Sequence, residues 1–402
     1  MNDEPPVDST NWLHHALIAL DQLSRIPSLA LALLIGACAA AIGWLWRTAT
    51  GHTLVSTVTA SAYLLFAAAD WAWLVSLPKR GISFGPVKPP LLGLIGLRFV
   101  VGLVPLLGCA MGYPALVCSV AGCLLHALIL GAVVYATQFE PFRLGVTRIE
   151  VETPKLPAGE RVRLVQIADL HIERLTRRER DLIEQVNALD ADYVLYTGDY
   201  LNFSYIGEPE AIAEARKVLD ALQARHSAYA VRGTHQVDPN ALLPILLKGL
   251  PIRWLRSEHV TERHDGYAIT FAGASCTRVP EIDVPAVARA LQGAPDNSFT
   301  VLLYHTPDLV PEAIAGGADL YLAGHTHGGQ LRLPIYGAVM TATAVGKRYE
   351  MGRYDVDGLT LYVSRGIGME GKGAPRARFL CPPEIVCIDV VGTGPVVSTS
   401  QT

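Results

Sequence analysis

The chain has 402 residues, half of them hydrophobic and 17% charged, and carries a formal net charge of −4. Its positive mean hydropathy is too high for an ordinary soluble protein of this length. The slightly acidic balance gives no electrostatic footprint for a nucleic acid, and no such partner is expected.

The apolar excess is concentrated in the N-terminal third. Residues 1–27 read as an N-terminal cytoplasmic or interfacial segment, and Leu13 to Leu23 is amphipathic enough to lie on a membrane surface. Residues 28–137 hold four long apolar runs: Ser28 to Trp46, Thr53 to Leu77, Leu91 to Met111 and Ala115 to Ala136. Each is near the ~20 residues a helix needs to cross ~30 Å of hydrocarbon, so four transmembrane helices are expected. The leader carries Asp3, Glu4, Asp8 and Asp21 where a cleaved signal would be basic, so the first run is read as a retained span.

Basic residues set the orientation. With four spans, the N-terminus, the middle loop and the C-terminal part share one side, and that side carries Arg25, Lys79, Arg80, Lys88, Arg143 and Arg148. The other side has only Arg47 in its short loops, so the C-terminal domain is expected at the cytoplasmic face of an inner membrane. Two charges interrupt the spans, Asp70 in the second and Arg98 in the third. Both lie at similar depth in a helical hairpin, which favours a structural ion pair over a transport path.

Residues 138–160 read as a linker and 161–391 as a globular domain. Short apolar stretches predict strands at Leu164–Ala168, Tyr193–Thr197, Tyr229–Arg232, Ala268–Ala272, Thr300–Tyr304, Asp319–Ala323, Thr360–Ser364 and Glu384–Asp389. Amphipathic stretches predict helices near Arg177–Leu189, Pro209–Ala224, Ala241–Lys248 and Val284–Leu291. The alternation argues for an α/β layered domain with a partly parallel sheet. Residues 392–402 are small and polar and are expected to be a disordered tail. Cys276, Cys381 and Cys387 show no paired spacing of the kind a secreted disulfide framework has.

Several of these strands end in residues that carry chemistry. Asp169-Leu170-His171 follows the first, Gly198-Asp199 the second and Gly233-Thr234-His235 the third. His305 follows Tyr304, and Gly324-His325-Thr326-His327-Gly328-Gly329-Gln330 follows a later apolar stretch. Sites in open α/β sheets assemble beyond the carboxyl ends of strands. Carboxylates and imidazoles converging there form a metal grip, and such mixed ligands admit manganese, iron or zinc. His226, His259 and His264 belong to no motif and read as surface or locally bonded residues. The basic run from Arg174 to Arg180, and the pair Lys347 and Arg348, read as solvated surface.

At these motifs the chain resembles the calcineurin-like metallophosphoesterases, in particular the membrane-anchored bacterial branch in which GHTHGGQ precedes a short proline-bearing strand. That strand is Leu331-Arg332-Leu333-Pro334 here, and the likeness extends to Tyr362–Gly368 and Pro382–Ile385. The resemblance implies a four-layer αββα sandwich of two mixed sheets holding two divalent ions. By it, Asp169, His171 and His327 hold the first ion, Asp199 bridges, and His305 and His325 complete the second ion's protein ligands. His235 matches the family histidine that protonates the leaving oxygen or steadies the transition state. The family's asparagine ligand is replaced by Thr234 and the acidic residue that often follows by Gln236, which makes Thr234 a weak second-site ligand. The implied function is hydrolysis of a phosphodiester or pyrophosphate by a metal-bridged hydroxide, on a phosphorylated small molecule or lipid-linked substrate at a membrane. The substitutions also leave open a degenerate protein that binds such a ligand with little or no turnover.

Overall fold

The computed structural model describes residues 12–395. These form two units, one of residues 12–139 with 371–377 and one of residues 140–370 with 378–395. Residues 12–27 of the expected N-terminal segment are described, and residues 1–11 and 396–402 lie outside the described residues.

The first unit is helical. α1 (Trp12–Gln22) precedes α2 (Ser28–Thr50), α3 (Thr53–Lys79), α4 (Lys88–Leu103), α5 (Pro105–Ala110) and α6 (Ala115–Val134). Pro27 and Pro114 stand immediately before α2 and α6, and Gly51 ends α2 in the left-handed conformation its place requires. Four stretches are long and apolar enough to cross a membrane: Ser28–Thr50, Thr53–Lys79, Lys88–Ala110 and Ala115–Phe142. Inside this bundle the Arg98 guanidinium donates to both carboxylate oxygens of Asp70 and to the backbone carbonyl of His126 at 2.9 Å. All three residues are buried, so the pair expected from matched depth is formed, with His126 as an unanticipated third member.

The second unit begins with β1 (Gly145–Pro157), so most of the expected linker is a 13-residue strand. Its polar and apolar residues alternate too weakly to stand out, and its partner lies at the far end of the chain. There follow β2 (Arg161–Ile167), α7 (Arg177–Ala188), β3 (Tyr193–Tyr196), α8 (Pro209–Ala221), β4 (Ser227–Ala230), α9 (Leu242–Leu246) and β5 (Ile252–Trp254). Next come β6 (Glu258–His264), β7 (Tyr267–Gly273), α10 (Pro280–Leu291), β8 (Phe299–Leu303), α11 (Val310–Ala315) and β9 (Leu320–Ala323). A small hairpin of β10 (Arg332–Leu333) and β11 (Gly337–Ala338) precedes β12 (Gly352–Val356), β13 (Leu359–Val363) and β14 (Glu384–Gly394). β14 runs into the segment expected to be a tail, because Gly392 and Gly394 still pair with β1, opposite Thr153 and Pro157.

The strands build two six-stranded sheets, in the orders β1-β14-β2-β3-β4-β5 and β12-β13-β9-β8-β7-β6. Both are mixed: β2 to β5 run parallel and β14 is antiparallel to β2, while β13, β9, β8 and β7 run parallel between antiparallel edges. Leu164, Leu195 and Tyr229 of one sheet pack with Phe271, Val301 and Leu322 of the other to form the central core. The outer face of the first sheet buries Val165 and Val194 against Leu182, Val186 and Val218 of α7 and α8. The outer face of the second buries Leu302 and Tyr321 against Val287 and Ala290 of α10. The layering is therefore helix, sheet, sheet, helix, and the inner strands are apolar on both sides because both of their faces are covered.

Candidate metal centre

The parallel strands of both sheets end at one edge, and the loops that follow them bring the candidate ligands together. Asp169 and His171 leave β2, Asp199 leaves β3, Thr234 and His235 lie beyond β4, His305 follows β8, and His325 and His327 follow β9. Asp169, His171 and His327 form one group, and Asp199, His305 and His325 a second. Within each group the donor atoms lie within 4.8 Å of one another. The groups adjoin: His305 Nε2 is 3.2 Å from Asp199 Oδ2 and 3.9 Å from Asp169 Oδ1, and His171 Nε2 is 3.6 Å from Asp199 Oδ2.

The backbone is bent to achieve this. Asp169, His171, Asp199, His325 and His327 all have positive φ, between 40° and 69°. Non-glycine residues seldom adopt this conformation, and its concentration on the ligands marks strain held by the surrounding fold. Glycine is required where the loops touch. A Cβ on Gly198, whose φ is 100°, would lie 2.3 Å from Gly233 Cα, and one on Gly233 would lie 2.2 Å from Asp199 Oδ1.

Hydrogen bonds fix which ring nitrogen His305 and His325 present. His305 Nδ1 donates to the Thr197 carbonyl at 2.7 Å, so Nε2 is the ring nitrogen that faces the carboxylates. His325 Nε2 donates to the Ala342 carbonyl at 3.1 Å and thereby turns Nδ1 toward Asp199. Such outer bonds orient the ligands of metal sites. His171 Nε2 and His327 Nε2 face each other at 3.1 Å. Two imidazole lone pairs buried that close need a cation or a proton between them, and the donor set suits a divalent ion.

Burial and charge tune the same groups. Burial pushes Asp169 up to about 6, opposed by His305 and helped by the Asp199 charge. Burial also raises Asp199, but His305 and His171 outweigh it and hold the carboxyl at about 2. Burial lowers His305, yet the Asp199 and Asp169 carboxylates carry it to about 9. Burial, with Arg278 and His305 nearby, puts His325 well below its usual range, and burial with His171 and Arg378 does the same for His327.

Thr234 sits where the second group could use it. Its amide donates to Asp199 Oδ1 at 2.7 Å, and its hydroxyl lies 3.4 Å from both Asp199 Oδ2 and His325 Nδ1. His235, on the same loop and 9% exposed, belongs to neither group.

Two supporting residues were missed in the sequence. Asp238, fully buried, accepts from the amides of Asp199 (2.7 Å), Gly233 (2.9 Å) and Tyr200 (3.1 Å), and so ties the Asp199 and Gly233 loops together. Burial and the neighbouring Asp199 charge push it up to about 7. Arg378, also fully buried, donates to the carbonyls of Arg365, Gly366, Gly368 and Cys381, in the segment that packs against Asp169 and His171. Neither lies in a recognisable motif. The one signal was that a charged residue inside an apolar domain requires partners.

The calcineurin-like phosphoesterase family matches residues 162–329. The uncharacterised metallophosphoesterase YkuE of Bacillus subtilis is 27% identical over 271 residues, covering 64% of this chain and 90% of YkuE. The UDP-2,3-diacylglucosamine pyrophosphatase LpxG of Chlamydia trachomatis is 25% identical over 305 residues, with 63% and 91% covered. The phosphodiesterase YaeI of Escherichia coli is 27% identical over 237 residues, with 57% and 82% covered.

Proposed function

Since residues 162–329 match the calcineurin-like phosphoesterase family, we propose that the protein is a membrane-tethered, metal-dependent phosphoric ester hydrolase acting on a phosphodiester or pyrophosphate bond of a lipid or lipid-linked substrate. The observation that carries the reading is the assembly of two adjoining Asp/His groups from separate strand ends. Asp169, His171 and His327 would hold one divalent ion, His305 and His325 a second, and Asp199 would serve both. Manganese, iron or zinc suits these ligands. When bound, such a pair polarises a phosphoryl group and makes water a better nucleophile near neutral pH.

The chain's own residues supply the rest. Asp169 and Asp199 offset the mutual repulsion of two cations. His305 and His325 each have one ring nitrogen engaged by a backbone carbonyl, so the other is the one that would ligate. By the family resemblance, His235 would pass a proton to a leaving oxygen. The Thr234 amide keeps Asp199 Oδ1 engaged, so Oδ2 is the oxygen that faces the histidines. Two of the relatives, a pyrophosphatase and a phosphodiesterase, support the two bond classes, and the four apolar helices support a substrate met at a membrane. The basic residues flanking those helices favour a cytoplasmic domain in an inner membrane.

A second reading has one observation in its favour: Thr234 offers a hydroxyl where related sites offer an amide oxygen, which would leave a binding protein with weak turnover. Hydrolysis of an aryl phosphodiester by the purified full-length protein, with metal content measured on the same sample, separates the two. Manganese-stimulated turnover with two ions bound supports the enzyme. Tight metal without turnover supports the binding protein. A reporter fused after Thr402 tests orientation: activity on the cytoplasmic side is expected, and external proteolysis of the domain in intact cells would overturn it.

A further inference from the structure

The metal loop runs directly into the β10–β11 hairpin, whose tip is apolar and bare. Among the described residues of the phosphoesterase unit, the exposed large hydrophobics include Ile245, Ile282 and Leu380, each isolated from the others in sequence. The remaining five, Leu333, Ile335, Tyr336, Val339 and Met340, fall within one stretch of eight residues. Ile335, at the tip, is fully exposed and has φ 69°. A β-branched residue in the left-handed region is sterically disfavoured, and exposing it to water adds a second cost that the fold does not recover. The cost of exposure points to an apolar surrounding for the tip.

The base of the hairpin is fixed to the metal loop. Ala338 packs under Gly329, where a Cβ would come within 2.3 Å of it, and Arg332 Nη1 donates to the Gly328 carbonyl at 2.7 Å. The exit segment supplies the Ala342 carbonyl that orients His325. The tip is convex, so it suits insertion into a fluid apolar phase better than enclosure of a ligand.

Charge indicates which phase. From Leu331 to Tyr349 the chain carries Arg332, Lys347 and Arg348 and no carboxylate. Lys347 Nζ lies 3.7 Å from the centre of the Tyr336 ring and donates to the Tyr336 carbonyl at 2.6 Å, beside the apolar tip. Glu350, the first acid reached, pairs with Arg332 and Lys347, which leaves the segment with a positive surplus. An apolar tip with an aromatic ring and a basic fringe matches the boundary between anionic headgroups and acyl chains. The chain also keeps this unit near a bilayer: only Arg143 and Leu144 separate Phe142, where the fourth apolar helical stretch ends, from the first residue of β1.

We propose that the hairpin tip from Leu333 to Met340 inserts into the headgroup–acyl boundary of an anionic bilayer, and so holds the metal loop at the lipid surface. The proposal depends on the four helices lying in a membrane and is independent of turnover.

The test uses the full-length protein in phosphatidylcholine vesicles with and without phosphatidylglycerol. p-Benzoylphenylalanine replaces Ile335, Val339 or, as an exposed control on the same unit, Ile245. After irradiation, mass spectrometry reads phospholipid adducts, and hydrolysis of an aryl phosphodiester is followed in the same samples. Adducts at positions 335 and 339 should exceed those at 245 several-fold and should rise with phosphatidylglycerol. Adducts at 335 no more abundant than at 245, or replaced by crosslinks between two copies of the chain, would overturn the proposal. Equal yields with and without phosphatidylglycerol would overturn its anionic part. Lipid adducts in a sample without hydrolysis would leave the proposal standing and count against the enzyme reading alone.

Discussion

The guanidinium of Arg98 clasps the carboxylate of Asp70 through two bonds, with both side chains fully buried between helices long and apolar enough to span a membrane. Either charge alone at mid-bilayer costs about 2.5–3.5 kcal/mol on insertion scales. Asp70→Leu or Arg98→Leu should therefore reduce the yield of detergent-extracted folded protein more than the double replacement does. The yields of the three variants, measured in parallel, check this, and a double variant worse than both singles would mean that the pair is not what matters.

In the proposed centre Asp199 is the ligand that would serve both ions. Asp199→Asn keeps the shape and the acceptor for the Thr234 amide but removes the charge beside His305. Most bound metal should be lost and hydrolysis abolished, with the circular dichroism spectrum unchanged. Turnover at the wild-type rate would end the two-ion assignment.

Thr234 and His235 should separate into different kinetic classes. Thr234→Asn replaces a hydroxyl 3.4 Å from His325 Nδ1 with a longer amide, and should shift activation to lower metal concentration. His235→Ala should depress turnover by about 10²–10⁴-fold at every metal concentration, the range for a lost acid–base group. Metal stoichiometry and rate measured together decide both points. If wild type already holds two tight ions and asparagine changes nothing, Thr234 is itself an adequate ligand.

Metal uptake should depend on pH differently at the two groups. In the metal-free protein His305 is raised to about 9, so it is protonated at neutral pH and must release that proton to ligate. Affinity of the second group should rise about tenfold per pH unit up to about 9 and then level off. Asp169 is raised only to about 6, so the gain at the first group should end near pH 6. Competition titrations with a chelator from pH 5.5 to 9.5 read both curves. A second group already flat above pH 7 would contradict the expectation.

Asp238 acts through other residues and is a positioning group. Both of its oxygens accept backbone amides, so Asp238→Asn forces an amide N–H against a donor. An unmade buried bond costs about 1–3 kcal/mol, which should appear as a lower melting temperature. The informative readout is metal: the second group should weaken by more than the first, because the amides held are those of Asp199 and Gly233. Equal loss at both groups would indicate general destabilisation.

The candidate ligands were legible because they follow short apolar runs that read as buried strands, such as Tyr193 to Tyr196 before Asp199 or Leu320 to Ala323 before His325. Local pattern and local chemistry coincide there. β1 was hidden because its residues are half exposed and its pairing, Gly145 with Glu384, spans more of the chain than periodicity can register. Asp238 and Arg378 were hidden for another reason. Their roles are bonds to backbone atoms of other loops, and a backbone amide or carbonyl has no letter in the sequence. The Asp70–Arg98 pair could be read because depth along a span can be counted, whereas the contact of His126 comes from a third helix whose rotation cannot.

β14 is the last strand of the chain, yet it lies between β1 and β2. As the protein leaves the ribosome, the apolar helices and then β1 and β2 emerge with the place between those two strands still empty. The sheet closes only once residues 384–394 have left the ribosome, long after its starting strand emerged next to the membrane-spanning segments. Until then two strand edges stand unpaired across a slot that fits one particular segment, and any other extended chain that reaches it first competes with β14.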